Sequence, residues 1–340
     1  MSNSNYTPPF AVTAESISLV AEISAQMERY AIRMEQEDRL RLRKANRIKT
    51  IHSSLAIEGN TLSEDEVRDI IDGKNVVAPL RQIQEVKNAI KTYEMFPTLD
   101  AFNEKDLLRA HKVMMQALVE DAGRYRRGGV GVFGNSGLVH LAPPPDQVPP
   151  LMADLFAWLR RSKDHLLIRS CVFHYEFEFI HPFIDGNGRM GRLWQSLILT
   201  KLHPLFAHLP VENMVYANQQ QYYDAITMST NAGESGPFIE FMLREIHKTL
   251  KAHQGAALTN GGENVGINDG INVGINVGTS AEKRILTFMA NAPAATAVQI
   301  AEALGLSSRQ VERIIASLKQ NGLIRRIGPN KGGHWEVISI

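Results

Sequence analysis

The chain has 340 residues, of which 44% are hydrophobic and 21% are charged, and its formal net charge is +1. These values are ordinary for a globular protein, and the length predicts two or more domains. No apolar run reaches the length of a membrane-spanning helix, the polar N-terminus lacks a signal-peptide pattern, and the single Cys171 excludes a disulfide framework. We therefore expect a cytoplasmic protein with no membrane partner.

Residues 1–100 form a predicted N-terminal helical region. Helical periodicity extends from 14 to 57, and Gly59 is placed to follow the end of that helix. Glu58 then lies at the C-terminal end, where the helix dipole disfavours a carboxylate by a few tenths to about 1 kcal/mol. From the residues alone, Glu58 is either a solvated helix end or the partner of an arginine.

Three further helices are predicted before residue 120. Thr61-x-x-Glu64 has the pattern of a capping box, which opens a short helix that Gly73 ends. Longer helical patterns cover 81–96 and 103–118. The second of these begins a predicted core domain, 101–253.

Glycines and apolar residues alternate between 123 and 145, which is typical of a β-hairpin. The first apolar run comprises Val130, Gly131, Val132 and Phe133. This hairpin is either a simple connector or an exposed edge that pairs with an extended segment of another protein.

A helix–loop–helix junction at 181–192 carries the strongest chemical signal. Apolar periodicity runs from 166 to 180 and resumes from 193 to 202, and Pro182 should end the first helix near His181. Gly186 and Gly188 allow main-chain N–H groups to converge at the start of the second helix, together with the intervening Asn187. Because a helix N-terminus favours an anion, this loop predicts a phosphate site.

The charged residues of the same junction fit that prediction. Arg189 and Arg192 supply charge-assisted donors for phosphate oxygens. Asp185 is an oxygen ligand that Mg²⁺ accepts beside phosphates and water. His181 is a group that takes up a proton near neutral pH.

The chain after the junction contains two more predicted helices and an unusual repeat. The first helix, 219–229, carries the adjacent Tyr222 and Tyr223 and is followed by Asn231; the second covers 237–250. Residues 254–278 repeat Asn-x-Gly-Ile, which indicates either a linker or a strand exchanged with a neighbouring subunit.

Residues 279–340 predict a winged helix-turn-helix domain. Capping patterns at Thr279-x-x-Glu282, Thr296-x-x-Gln299 and Ser307-x-x-Gln310 open three short helices, with Gly305 and Gly322 as stops. Two strands joined by a turn follow. Eight Lys or Arg residues against four Glu give this domain +4, and Arg309 and Arg313 lie on its recognition-type helix. The alternatives are DNA binding and a protein-docking or dimerisation role.

The motif His-Pro-Phe-Ile-Asp-Gly-Asn-Gly-Arg-Met-Gly-Arg, residues 181–192, resembles the signature of the Fic (Fic/Doc) family at every specified position. The resemblance implies a mainly α Fic helical bundle with a β-hairpin flap, here joined to a winged helix. It also implies transfer of AMP from ATP to a hydroxyl side chain of a target protein.

The resemblance assigns a role to each motif residue. His181 would deprotonate the target hydroxyl, and Asp185 would hold Mg²⁺ between the α- and β-phosphates. Gly186, Asn187 and Gly188 would bind phosphates, with Arg189 on the β-phosphate and Arg192 on the γ-phosphate. By the same resemblance, Val130 to Phe133 are flap residues and Tyr222, Tyr223 and Asn231 lie near the nucleoside.

Ser54-x-x-x-Glu58-Gly59 is similar to the inhibitory motif of the same family. In that family the glutamate pairs with the second motif arginine, which is Arg192 here. Its position before the catalytic motif implies the class whose inhibitory helix is built into the chain. We therefore expect an autoinhibited adenylyltransferase.

Two other functions remain open at this stage. One is a nucleotide-sensing DNA-binding regulator with a vestigial Fic domain, and the other is transfer of a different nucleotide or a phosphoryl group. The intact motif favours an enzyme. The target protein, self-modification and homo-oligomer formation are not readable from the sequence.

Overall fold

The computed structural model describes residues 6–34, 39–134, 137–207, 209 and 211–255. Nearer the C-terminus it describes 285, 288–289, 293, 295–304, 308–320, 324–327 and 334–337. The chain separates into two compact units, Met1–Gly261 and Gly262–Ile340. The predicted N-terminal region and core domain therefore lie within one unit. The Asn-x-Gly-Ile repeat, 254–278, lies almost wholly outside the described residues.

In its described residues, the first unit is an assembly of helices with one small hairpin. Its helices are α1 (Ala14–Met34), α2 (Arg39–Ile57), α3 (Glu64–Ile71), α4 (Leu80–Met95), α5 (Glu104–Met114), α6 (Val148–Arg161), α7 (Leu166–Ile180), α8 (Asn187–Leu202), α9 (Val211–Ala217), α10 (Gln219–Ala232) and α11 (Gly236–Gly255). Short 3₁₀ turns lie at Phe96–Thr98, Pro145–Gln147 and Pro204–Ala207.

Helix α7 lies at the centre of this unit, and most of its side chains are apolar. Residues from Leu167 to Phe177 are all buried apart from Arg169, so α7 has no solvent face. It packs against α8 on one side and against α6 and α11 on others. This burial fixes the end of α7, and with it the start of the junction loop.

The start of α3 differs from the sequence prediction. Its capping box is Ser63 with Glu66, whose carboxylate accepts from the Ser63 N–H at 2.8 Å, and not Thr61 with Glu64. The earlier box is wrong because Thr61 is engaged elsewhere: its hydroxyl donates to Gln82 at 3.1 Å. The sequence is compatible with both capping boxes, and the contact of Thr61 with Gln82 distinguishes them.

The predicted hairpin is confirmed as β1 (Gly131–Gly134) and β2 (Gly137–Leu141), which pair antiparallel. Gly131 lies opposite Leu141, and the register shifts between Val132 and Phe133. Val130 precedes the strand, and its carbonyl accepts from Ala142 N at 3.2 Å. The strand β2 lies against α10.

The second unit contains α12 (Ala297–Leu304), α13 (Ser308–Gln320), β3 (Ile324–Ile327) and β4 (His334–Val337). The strands pair antiparallel, and the capping box of Thr296 with Gln299 is confirmed by reciprocal bonds of 2.9 and 3.3 Å. Buried residues of α12, α13 and β3 form a separate small core with Ile285 and Met289. The predicted stops at Gly305 and Gly322, and the side chains of Arg309 and Arg313, lie outside the described residues.

Among the described residues, no helix is long and apolar enough to span a bilayer.

Candidate active site

The junction between α7 and α8 has the backbone that its sequence predicts. Helix α7 ends at Ile180, and His181 adopts a left-handed conformation with φ of 50°. Gly186, with φ of 86°, precedes the first residue of α8, a conformation that favours glycine. The backbone therefore turns sharply at both ends of the loop, at His181 after α7 and at Gly186 before α8.

Asn187 closes this loop from within. Its Oδ1 accepts from the Phe183 N–H and its Nδ2 donates to the Phe183 carbonyl, both at 2.9 Å. The Asn187 side chain is buried, so the structure uses it to fix the loop. Its predicted contact with a phosphate would then come from the main chain at the start of α8, where helical N–H groups lack intrahelical partners.

His181 lies at the rim of the junction with its side chain 22% exposed. Its Nδ1 lies 3.3 Å from the carbonyl oxygen of Glu178, one helical turn earlier. If Nδ1 carries the proton and donates to that carbonyl, Nε2 has a lone pair and is able to act as a base.

Asp185 lies between two arginines at the mouth of the site. Its Oδ1 accepts from Arg189 Nη2 at 3.0 Å and from Gly186 N at 2.6 Å, while Oδ2 lies 3.3 Å from Arg81 Nη2. The carboxylate is 36% exposed. Arg189, in contrast, is almost fully buried.

Glu58 reaches the site from α2, and its Oε1 accepts from Arg192 Nη2 at 2.8 Å. The same Nη2 lies 3.1 Å from the Ser54 carbonyl, so Ser54 contributes its main chain to this contact. Arg192 is 1% exposed and Glu58 is 30% exposed. Burial by itself lowers the pKa of Arg192, but the charge and hydrogen bond of Glu58 together with the interactions of Tyr222 and Glu178 outweigh it, and the net shift is upward.

Gly188 leaves room for this ion pair. A Cβ atom at residue 188 would lie 2.5 Å from Glu58 Oε1 and 2.9 Å from Arg192 Nη1, closer than real Cβ contacts. The glycine that the sequence assigns to phosphate binding therefore also admits the carboxylate. Glu58 and a phosphate group would compete for one space.

Sequence reasoning assigned no role to His111, which supports the loop from α5. Its ring stacks on Phe183 with centroids 3.6 Å apart, and Nδ1 accepts from Gly123 N at 2.8 Å. Nε2 must then carry the hydrogen that it donates to the Asp185 carbonyl at 3.0 Å. Burial lowers the pKa of His111 to about 4, so the ring stays neutral. A lone histidine on a helix gives no sequence signal for this contact.

Arg126, at the entry to the hairpin, was also missed as a site residue. Its buried guanidinium donates to carbonyl oxygens at the end of α7 and at both ends of the hairpin. These are His181 at 2.8 Å, Ile180 at 3.3 Å, Gly128 at 2.8 Å and Pro143 at 2.6 Å. Arg126 thereby holds the hairpin stems against the residue that carries the candidate base.

Comparison with known proteins identifies the families to which parts of this chain are similar. Residues 101–199 match the family model described as Fic/DOC family, and residues 279–333 match the MarR family model. A solved Fic family protein from Desulfovibrio desulfuricans G20 is 40% identical, with a TM-score of 0.71, and the alignment covers 98% of this chain and 99% of that one. The chain belongs to the Fic/DOC family.

Curated relatives carry the name protein adenylyltransferase Fic. The one from Nematostella vectensis is 30% identical over 216 residues, covering 60% of this chain and 48% of its own length. The one from Drosophila mojavensis is 28% identical over 259 residues, covering 70% and 48%. The chain thus spans about half the length of these relatives. The predicted fold, a mainly α Fic domain with a C-terminal winged helix, is confirmed.

The residues predicted near the nucleoside lie on α10 of the Fic domain, but in unequal settings. Tyr222 is fully buried, and its hydroxyl lies 3.1 Å from His174 Nε2. Tyr223 is partly exposed and Asn231 is exposed, inside the helix and not after it. Tyr223 therefore has the accessible surface that a nucleoside contact needs. The roles of all three stay predictions.

Proposed function

We propose that this protein transfers AMP from ATP to a hydroxyl side chain of a target protein. The observation that carries the proposal is the junction itself, in which His181 follows α7, the N-terminus of α8 follows within a few residues, and the first two turns of α8 carry two buried arginines. The Nε atoms of Arg189 and Arg192 are buried and have no hydrogen-bond partner among the described residues. Because unsatisfied buried donors are unfavourable, phosphate oxygens are the natural acceptors here.

In the proposed reaction, His181 accepts the proton of the target hydroxyl and the hydroxyl oxygen attacks the α-phosphorus of ATP. The bond from that phosphorus to the oxygen bridging to the β-phosphate breaks, and pyrophosphate leaves. The helix N-terminus and Arg189 stabilise the charge that develops on the phosphates. Arg192 orients the γ-phosphate, and the edge of β1 positions the extended target segment.

Asp185 is the proposed Mg²⁺ ligand. Mg²⁺ is commonly held by one or two carboxylates together with substrate phosphates and water. The described residues contain no cluster of three or more candidate metal-ligating side chains, and a single exposed Asp185 fits a metal that arrives with the nucleotide. The bound metal would neutralise phosphate charge; Arg81 would have to release Oδ2 of Asp185.

We propose further that Glu58 inhibits this transfer. While Glu58 holds Arg192, the γ-phosphate loses its cation and meets a carboxylate in the same space. ATP would then bind with its α-phosphate badly aligned for in-line attack.

Incubation with labelled nucleotides tests the proposed activity. Glu58→Gly protein is mixed with cell lysate and with ATP, UTP or GTP labelled on either the α- or the γ-phosphate. Label from α-labelled ATP alone should appear on protein, and it should be absent when His181→Ala is added to the same variant. Label from the γ-phosphate would indicate phosphoryl transfer, and label from UTP or GTP a different nucleotide.

The MarR family match supports a second candidate function, which is DNA binding through residues 279–340. Four of the positive charges of this domain are not balanced by Glu. On β3, however, Arg325 pairs with Glu336 and Arg326 lies over the Trp335 ring, 4.8 Å from its centroid. DNA contacts would therefore rest mainly on the other basic residues. The intact catalytic motif argues against the vestigial-domain alternative.

A further inference from the structure

A buried carboxylate lies directly behind His181 and has no place in the reaction described above. Glu178 is on the last turn of α7, and its Oε2 lies 4.0 Å from His181 Nδ1. This proximity follows from the left-handed conformation of His181, which turns the chain back over the helix end. The side chain of Glu178 is only 10% exposed.

The other oxygen of Glu178, Oε1, is buried without a hydrogen-bond partner among the described residues. Its nearest candidate donor, His174 Nε2, lies 3.9 Å away and is already used. His174 Nδ1 lies 2.6 Å from the Gln195 amide oxygen, so it carries the proton, and Nε2 accepts from the Tyr222 hydroxyl at 3.1 Å. His174 therefore has no hydrogen to offer Glu178.

The motif residue Gly191 preserves the space for this carboxylate. A Cβ at residue 191 would lie 2.6 Å from Glu178 Oε1 and 3.0 Å from His174 Cδ2. A larger residue on α8 would push Glu178 out of the pocket. The fold therefore accommodates a buried, incompletely bonded carboxylate next to the candidate base.

We propose that Glu178 is a positioning residue for His181, an inference that rests on the proposed function. Its carboxylate holds the His181 proton on Nδ1, so that Nε2 faces the target hydroxyl, and it stabilises the imidazolium formed when Nε2 takes up the hydroxyl proton. A carboxylate behind an imidazole performs both tasks in other hydrolytic and transfer sites. The 4.0 Å separation closes with a small ring movement, as catalytic contacts commonly do when substrate binds.

The charge state of Glu178 depends on the ion pair between Glu58 and Arg192. Burial raises the pKa of Glu178 to about 8; Arg192 opposes this shift and the negative charge of Glu58 adds to it. Withdrawal of Glu58 would therefore let Glu178 ionise at lower pH. Several charged or titratable groups on or next to four helices affect this site: His174 on α7 and His181 just after it, Arg192 on α8, Glu58 just after α2, and Tyr222 and Tyr223 on α10.

Glu178→Gln in the Glu58→Gly protein tests the proposal. The change keeps the shape but removes the charge, and we expect kcat for AMP transfer to fall by about 10- to 100-fold with little change in KM for ATP. In Glu58→Gly, the rise of kcat/KM with pH should contain the ionisation of Glu178, below about pH 8, in addition to the deprotonation of His181. The part of the rise that is due to Glu178 should be absent after Glu178→Gln.

Glu176→Gln is the matched control. Glu176 is also on α7, is buried and has a pKa raised to about 7 by burial, but it contacts Tyr6 at 3.4 Å and not His181. Its substitution should leave the rate and its pH profile unchanged. Glu178→Asp keeps the charge on a shorter side chain and should retain more activity than Glu178→Gln. If Glu178→Gln does not fold, Glu178→Asp is used in its place.

NMR of the His181 ring tests the positioning role of Glu178 by a measurement that does not require enzymatic activity. In the Glu58→Gly background, where Glu178 ionises at lower pH, the titration midpoint of the His181 ring should move to lower pH after Glu178→Gln and stay in place after Glu176→Gln. Equal midpoints, or equal rates and pH profiles in active protein, overturn the positioning role. Absence of transfer in Glu58→Gly with every nucleotide, together with a shifted midpoint in Glu178→Gln, would instead overturn the proposed function alone.

Discussion

Glu58 Oε1 and Arg192 Nη2 lie 2.8 Å apart, although 134 residues separate them in sequence. The contact joins the end of α2 to the second turn of α8. Since Arg192 is almost fully buried, its guanidinium requires an anionic partner whether or not nucleotide is bound. Glu58 supplies that anionic partner in this structure.

Glu58→Gly is expected to raise AMP transfer by about 10- to 1000-fold at saturating ATP, because a misplacement of about 1 Å can reduce a rate roughly a hundredfold. Adding Arg192→Ala should remove most of the gain, since the freed arginine orients the γ-phosphate. Glu58→Gln, which keeps the size of the side chain, separates loss of charge from loss of bulk. An unchanged rate in Glu58→Gly at saturating ATP would mean that Glu58 does not inhibit.

His181→Ala should abolish transfer while ATP still binds, because the imidazole moves a proton and the anion loop binds phosphates. Calorimetry gives the affinity and labelled ATP gives the rate. Glu58→Gly is the appropriate background, since its site is open. A rate equal to that of the parent would remove His181 from its assigned role.

Arg81→Ala should lower the Mg²⁺ concentration needed for half-maximal transfer. Its guanidinium lies 3.3 Å from Asp185 Oδ2, and an exposed pair of this kind contributes about 0.2–1 kcal/mol, or roughly 1.5- to 5-fold. Arg109→Ala, which removes another exposed arginine paired with Asp106, is the control. Asp185→Asn should shift the requirement in the opposite direction. Identical Mg²⁺ dependence in Arg81→Ala and the parent would contradict this arrangement.

Glu176→Gln should stabilise the protein at pH 8 but not at pH 4. Burial raises the pKa of Glu176 from 4.5 to about 7 in the folded protein, so the carboxyl ionises more easily when the chain unfolds. The contribution of Glu176 to the free energy of unfolding therefore decreases as pH rises from about 4.5 to 7 and is constant at higher pH. Melting temperatures at the two pH values, with the exposed Glu28→Gln as control, measure the difference. An equal gain at both would exclude ionisation as the cause.

The full chain should bind duplex DNA weakly, with an affinity that falls steeply as salt releases counterions from phosphates. Lys319→Ala, on the exposed side of α13, should reduce the salt slope by about 1. Lys201→Ala, exposed on the first unit, should not change it. A folded chain that shows no salt-dependent mobility shift with any duplex would favour a protein-docking role for this domain.

The sequence predicted those parts of the site that depend on local backbone geometry. Pro182 and Gly186 determine where α7 ends and α8 begins, and Gly59 ends α2 with φ of 86° as expected. The resemblance to a known family supplied the pairing of Glu58 with Arg192, because no local rule connects residues so far apart. The roles of His111 and Arg126 could not be predicted, since their hydrogen-bond partners are main-chain groups that only the folded chain brings near.

The hydrogen bonds of Arg126 connect parts of the chain that no continuous element joins. The Arg126 guanidinium donates to the carbonyl oxygens of Gly128, Pro143 and His181, so it binds both the base of the hairpin and the end of α7. A displacement of the hairpin base would therefore act on the main chain of His181 through the planar guanidinium of Arg126. The positions of the hairpin base and of the His181 main chain are coupled in this fold.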